Sequence, residues 1–82
     1  MTIKEIELKL NVILHKELGS VEIKPTSSLI ELGADSLSTM GIITEIEDVF
    51  DIDIPNKDID DILTVEKLIN YIEQKVGSNE AK

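Results

Sequence analysis

No cysteine occurs among the 82 residues, and histidine occurs once, as His15. The first absence excludes a disulfide framework and a thiolate metal site, and it suits a reducing, cytoplasmic setting. Any thiol chemistry must be borrowed. The second leaves a serine nucleophile without a base, because His15 sits with Leu8 and Val12 in the first helical segment and no glycine-serine-glycine elbow surrounds Ser36. Catalytic residues are therefore not assigned. No apolar run approaches the roughly 20 residues that span a bilayer, and Met1-Thr2-Ile3-Lys4-Glu5 lacks the basic start and apolar stretch of a signal peptide. Membrane insertion is not expected.

Positive charge is scarce in one region only. From Ser28 to Leu63 ten acids (Glu31, Asp35, Glu45, Glu47, Asp48, Asp51, Asp53, Asp58, Asp60 and Asp61) face Lys57 alone, and the rest of the chain is neutral, so this segment holds the whole net charge of −9. Nucleic-acid binding, which needs cations to displace counterions from phosphates, is excluded. Anionic membranes are disfavoured. Proteins with basic docking patches are the partners this charge implies, although an acidic surface that only maintains solubility has the same composition.

The length fits one domain with room for a small core. Ile3, Ile6, Leu10, Ile13 and Leu14 recur on one helical face, which predicts a first helix over residues 3–17 stopped by Gly19. Leu8, Val12 and His15 form a weaker stripe, read as a second surface on which the long loop leans. Residues 20–34 hold no helical period. A loop of that length needs anchors, and Val21, Ile23, Leu29, Ile30 and Leu32 are available, with one short turn over 29–32.

A second helix is predicted over 36–50, with Thr39, Ile42, Ile43, Ile46, Val49 and Phe50 inward. Its other side gathers Leu37, Met40, Gly41, Thr44, Glu45, Glu47 and Asp48, two apolar side chains among carboxylates. Pro55 opens a short helix with Ile59, Ile62 and Leu63 inward. Thr64 caps a last helix carrying Val65, Leu68, Ile69, Ile72 and Val76. The fold class is all-α, a small four-helix bundle of three longer helices, one short helix and an ordered loop between the first two. Residues 1–77 form the domain and 78–82 a flexible tail; the start at Met1 and the close after the last helix suggest a free-standing, monomeric chain.

Asp35 is a suitable N-cap, Gly33 gives a permissive backbone before it, and Ser36 falls in the first turn, where amide N–H groups and the helix dipole favour an anion. Alone, such a string is also an ordinary helix cap. The stretch Leu32-Gly33-Ala34-Asp35-Ser36-Leu37 resembles the attachment motif of acyl carrier proteins, and so do the acidic helix after it, the exit Phe50-Asp51-Ile52-Asp53-Ile54-Pro55 and the start Thr64-Val65. The resemblance implies 4'-phosphopantetheine, from coenzyme A, attached to Ser36. It implies that Asp35 is read by the phosphopantetheinyl transferase and that Leu37, Met40, Gly41, Glu45, Glu47 and Asp48 meet acyl-processing enzymes. The implied function is carriage of acyl thioesters between enzymes of fatty acid, polyketide or related lipid biosynthesis. An aminoacyl carrier and an unmodified acidic adaptor are the alternatives.

Two departures bear on partners. Many fatty-acid carriers have acids where this chain has Ser38 and Gly41, which suggests a specialised carrier whose partner packs closely over Gly41. The carboxylates from Asp51 to Asp58 invite a calcium reading, but an EF-hand loop counted from Asp51 needs Gly at 56 and Glu at 62, where Asn56 and Ile62 stand. No dedicated metal site is assigned.

Overall fold

Thr2 and Glu5 set the first helix by satisfying each other. The Thr2 hydroxyl accepts from the Glu5 amide at 3.2 Å, and the Glu5 carboxylate accepts from the Thr2 amide at 2.9 Å. This is a reciprocal capping box. In the computed structural model, which describes residues 2–80 (78–80 by backbone alone), the helices are α1 (Ile3–Leu18), α2 (Ser36–Phe50), α3 (Asn56–Ile59) and α4 (Val65–Glu80). A single 3-10 turn, Asp60–Ile62, extends α3. Among the described residues there is no strand, only an isolated antiparallel bridge between Ser28 and Thr64. The backbone of α4 remains helical past Gly77, where the tail was expected to begin; residues 81 and 82 lie outside the described residues.

The core follows the helical periods. Ile6, Leu10, Ile13 and Leu14 of α1 meet Ile42, Ile43, Ile46 and Phe50 of α2 and Val65, Leu68, Ile69 and Ile72 of α4. Among the described residues no polar or charged side chain is buried. Burial of each large aliphatic side chain contributes roughly 1.5–3 kcal/mol, so the bundle rests on apolar packing.

The loop between α1 and α2 is fastened to α4 through backbone groups. The first amides of α4 have no partner inside their own helix. Here Val65 and Glu66 donate to the carbonyls of Ser27 and Pro25, each at 2.9 Å, while Leu29 donates to the Leu63 carbonyl at 2.8 Å. Leu29 is fully buried, and Ile23 and Leu32 pack half-buried on the core.

Several inward assignments are corrected by this route. The loop passes over the side of α1 that carries Glu7 and Asn11, beside Ile23 and Pro25. Leu8 and Val12 are therefore exposed, and His15 meets the loop only through Nε2, 3.2 Å from the Val21 carbonyl. Ile30 is likewise exposed, because the turn that buries Leu29 directs its neighbour outward. Val49 lies at the edge of the α1–α2 seam and Ile3 in the first turn of α1, and both are exposed rather than inside.

At its far end α2 stops on Asp51, whose left-handed backbone (φ 56°, ψ 51°) lets the Asp51 amide donate to the Glu47 carbonyl. The Ile52 amide donates to the same oxygen at 3.2 Å, and the Ile54 amide to the Glu47 carboxylate at 2.9 Å. These contacts reverse the chain and bring α3 beside the start of α2. Tyr71 then ties α4 to α3, its hydroxyl donating to Asp58 at 2.8 Å. Desolvation, with Asp58 second, pushes the Tyr71 hydroxyl up to about 12.

Candidate functional site

The start of α2 is built by a closed turn. Ser28 and Glu31 bond reciprocally, the Ser28 amide donating to the carboxylate at 2.9 Å and the Glu31 amide to the hydroxyl at 3.0 Å. Gly33, at φ 102°, donates to the Ile30 carbonyl at 3.0 Å, and Ala34 donates to the Leu29 carbonyl at 2.9 Å. The chain thus reaches Asp35 in an extended conformation (φ −104°), with its carboxylate accepting from the Ser38 amide at 2.8 Å. Ser36 follows as the first residue of α2 and is exposed.

Hydrogen bonding from Ser38 holds the Asp35 carboxyl below its ordinary value. A carboxyl whose folded pKa is depressed adds stability above its unfolded pKa and loses it as pH falls through the folded one. Asp35→Ala is expected to melt earlier than the parent at neutral pH and to lose less on acidification, because the acid limb no longer includes this group. Thermal melts followed by circular dichroism at neutral and strongly acidic pH check both parts. Equal differences between parent and variant at the two pH values would refute the assignment.

Beside Ser36 runs an open groove of about 510 Å³, lined by Ile30, Ala34, Asp35, Thr39, Met40, Ile59, Asp60 and Leu63. Its walls are mostly apolar. The expected residues Asp35, Ser36 and Met40 meet here, and Leu37 stands exposed next to them at 83%. Asp48 is exposed further along the same helix.

Three other expected docking residues sit differently. Glu45 pairs with Lys16 of α1 at 2.5 Å, which raises the lysine pKa. The Glu47 carboxylate is the acceptor for Ile54, as above. Gly41 is half-buried against α1: a Cβ built there would stand 2.9 Å from Glu17 Oε1. The space over Gly41 is occupied by the end of this chain's own Glu17 side chain.

Ile30, Ile59 and Leu63 were read as packing residues and turn out to line the groove as well. Inward periodicity marks Ile59 and Leu63, but only the reversal at Asp51 brings them to Ser36. No local signal carries that. Among the described residues no three His, Asp or Glu side chains converge to hold a metal ion, and no helix is long and apolar enough to cross a membrane.

The arrangement is that of a small helical domain presenting one hydroxyl at a helix start beside an apolar groove, a scaffold for holding a group rather than transforming it. A family model described as a phosphopantetheine attachment site matches residues 9–72, and the chain belongs to that family of carrier proteins. Its domains are non-catalytic carriers with a covalent 4'-phosphopantetheine, served by a phosphopantetheinyl transferase and by client enzymes. The residues present fit such a group. An exposed hydroxyl at the N-terminus of a 15-residue helix suits a phosphodiester, and the groove accepts apolar atoms beyond it.

Proposed function

We propose that Ser36 bears the phosphopantetheine arm and that this chain carries acyl intermediates between enzymes of fatty acid, polyketide or related lipid biosynthesis. The observation that carries the assignment is the placement of Ser36: exposed, first in α2, and opening onto the groove lined by Ile30, Ala34, Met40, Ile59 and Leu63. The arm supplies a thiol that holds an acyl group as a thioester. The chain's own residues present and shield. Asp35 fixes the helix start and offers the transferase a carboxylate beside the acceptor hydroxyl, and Leu37 and Met40 give partners an apolar hold. The apolar groove supports an acyl rather than an aminoacyl cargo. Ser38 and Gly41, where many fatty-acid carriers have acids, support a specialised member with its own set of partners.

Intact mass after incubation with coenzyme A and a permissive phosphopantetheinyl transferase tests the assignment. The parent is expected to gain one phosphopantetheine and Ser36→Ala none. Modification of the alanine variant, or no modification of folded parent while a control carrier is loaded, would overturn it.

A further inference from the structure

The solvent side of α2 follows from the helical period. With Ile42, Ile43, Ile46 and Phe50 inward, the outward ridge runs through Leu37, Gly41, Thr44 and Asp48. One acid on this helix is paired with Lys16 and another is bound to the Ile54 amide, so Glu45 and Glu47 do not present a bare carboxylate. Asp48 lies twelve residues beyond Ser36, roughly 18 Å along the axis. Apart from its cap Asp35, α2 thus has no exposed acid near Ser36.

A carboxylate is supplied there from another helix. Glu17, in the last turn of α1, lays its side chain over the bare backbone of Gly41: a Cβ at that position would be 2.9 Å from Oε1, 3.4 Å from Cδ and 3.7 Å from Oε2. Only glycine leaves this space open. The charge reaches the ridge five residues past Ser36, roughly 7.5 Å along α2.

We propose that Glu17 is a specificity residue for the phosphopantetheinyl transferase, a carboxylate delivered by α1 onto the ridge of α2 to meet a lysine or arginine of that enzyme. The inference rests on Ser36 as the acceptor. It explains why a glycine sits in the middle of the partner-facing helix, where it weakens the helix. The arrangement places one negative charge on the first two turns of the ridge by tertiary packing, where the α2 sequence encodes none before Asp48.

The test is the steady-state transfer of phosphopantetheine from coenzyme A by one broad-specificity transferase, with KM for the carrier and kcat read separately. Glu17→Gln is expected to raise KM about two- to fivefold at low salt with kcat unchanged, as for loss of one partly screened ion pair. The difference should shrink in about 0.5 M NaCl. Glu17→Gln combined with Gly41→Glu, which returns the charge to the ridge from α2 itself, should restore KM. A merely structural Glu17 would not be rescued this way. Unchanged KM in Glu17→Gln, or failure of the double variant to recover with its helicity intact, overturns the role of Glu17 and leaves Ser36 as the acceptor. Absence of transfer to the parent overturns both.

Discussion

Leu29→Ala is expected to destabilise the domain by about 2–5 kcal/mol, the range for removing a fully enclosed leucine. Native domains have only about 5–15 kcal/mol in total. The melting temperature should fall by at least about 8 °C, since each kcal/mol shifts a domain of this size by roughly 4–8 °C. The magnitude is unusual for a loop residue. It follows from Leu29 being fully buried in the core while its amide is bonded to Leu63, just ahead of α4, so that the side chain and the backbone fasten the same segment. Ile30→Ala supplies the contrast. Ile30 is 68% exposed, and its truncation should change stability by no more than about 0.5 kcal/mol. Thermal melts of the pair decide the matter, and similar losses in both variants would show that the loop is not anchored at Leu29.

Gly19→Ala is the second large effect. Gly19 ends α1 at φ 84°, ψ −164°, a backbone region that is essentially confined to glycine. Its amide donates to the His15 carbonyl at 2.9 Å and its carbonyl accepts from Val21 at 3.0 Å, so the chain cannot relax to another conformation without losing both. An alanine there should cost on the order of 1–3 kcal/mol although nothing lies within 4 Å of the new Cβ. Gly41→Ala reverses both conditions. The backbone at 41 is helical and the new Cβ meets only the end of the Glu17 side chain, which can swing away. The substitution should stabilise by about 0.5–1 kcal/mol. Chemical denaturation of the two variants checks the opposite signs. A neutral Gly19→Ala would mean that the turn leaving α1 is not held as described.

What could be read from the sequence was what depends on near neighbours. Asp35 before a run of inward Ile residues marks the start of α2, and Thr64 before Val65 marks that of α4; both caps are formed in the fold. The stripe of Leu8 and Val12 misled because periodicity says that a face is apolar, not what lies against it. The loop was drawn to the Glu7 side by the unpaired amides of α4, a demand located some forty residues away. Ile30 beside Leu29 is the same case in miniature, since an irregular segment has no period to tell inward from outward. The groove beside Ser36 was legible in its parts, Met40 on α2 and Ile59 and Leu63 further on. Their meeting depends on the turn at Asp51, where a non-glycine residue takes a left-handed backbone that no local pattern announces.

The attachment of the loop to α4 by main-chain hydrogen bonds limits how this carrier can be dissected. The contacts from Ser27 and Pro25 to Val65 and Glu66 use groups that almost any residue provides. The side chains of Pro25 and Ser27 take no part in these bonds to α4, whereas that of Leu29 is buried in the core. The far end of the chain supplies the other half of these bonds. A fragment ending before α4 would contain the whole stretch from Leu32 to Asp48 that is proposed to meet partners, yet it would lose the groups that dock the segment leading into α2. The helix that presents the serine is not a portable peptide, and mimics of it will need a replacement for what α4 holds.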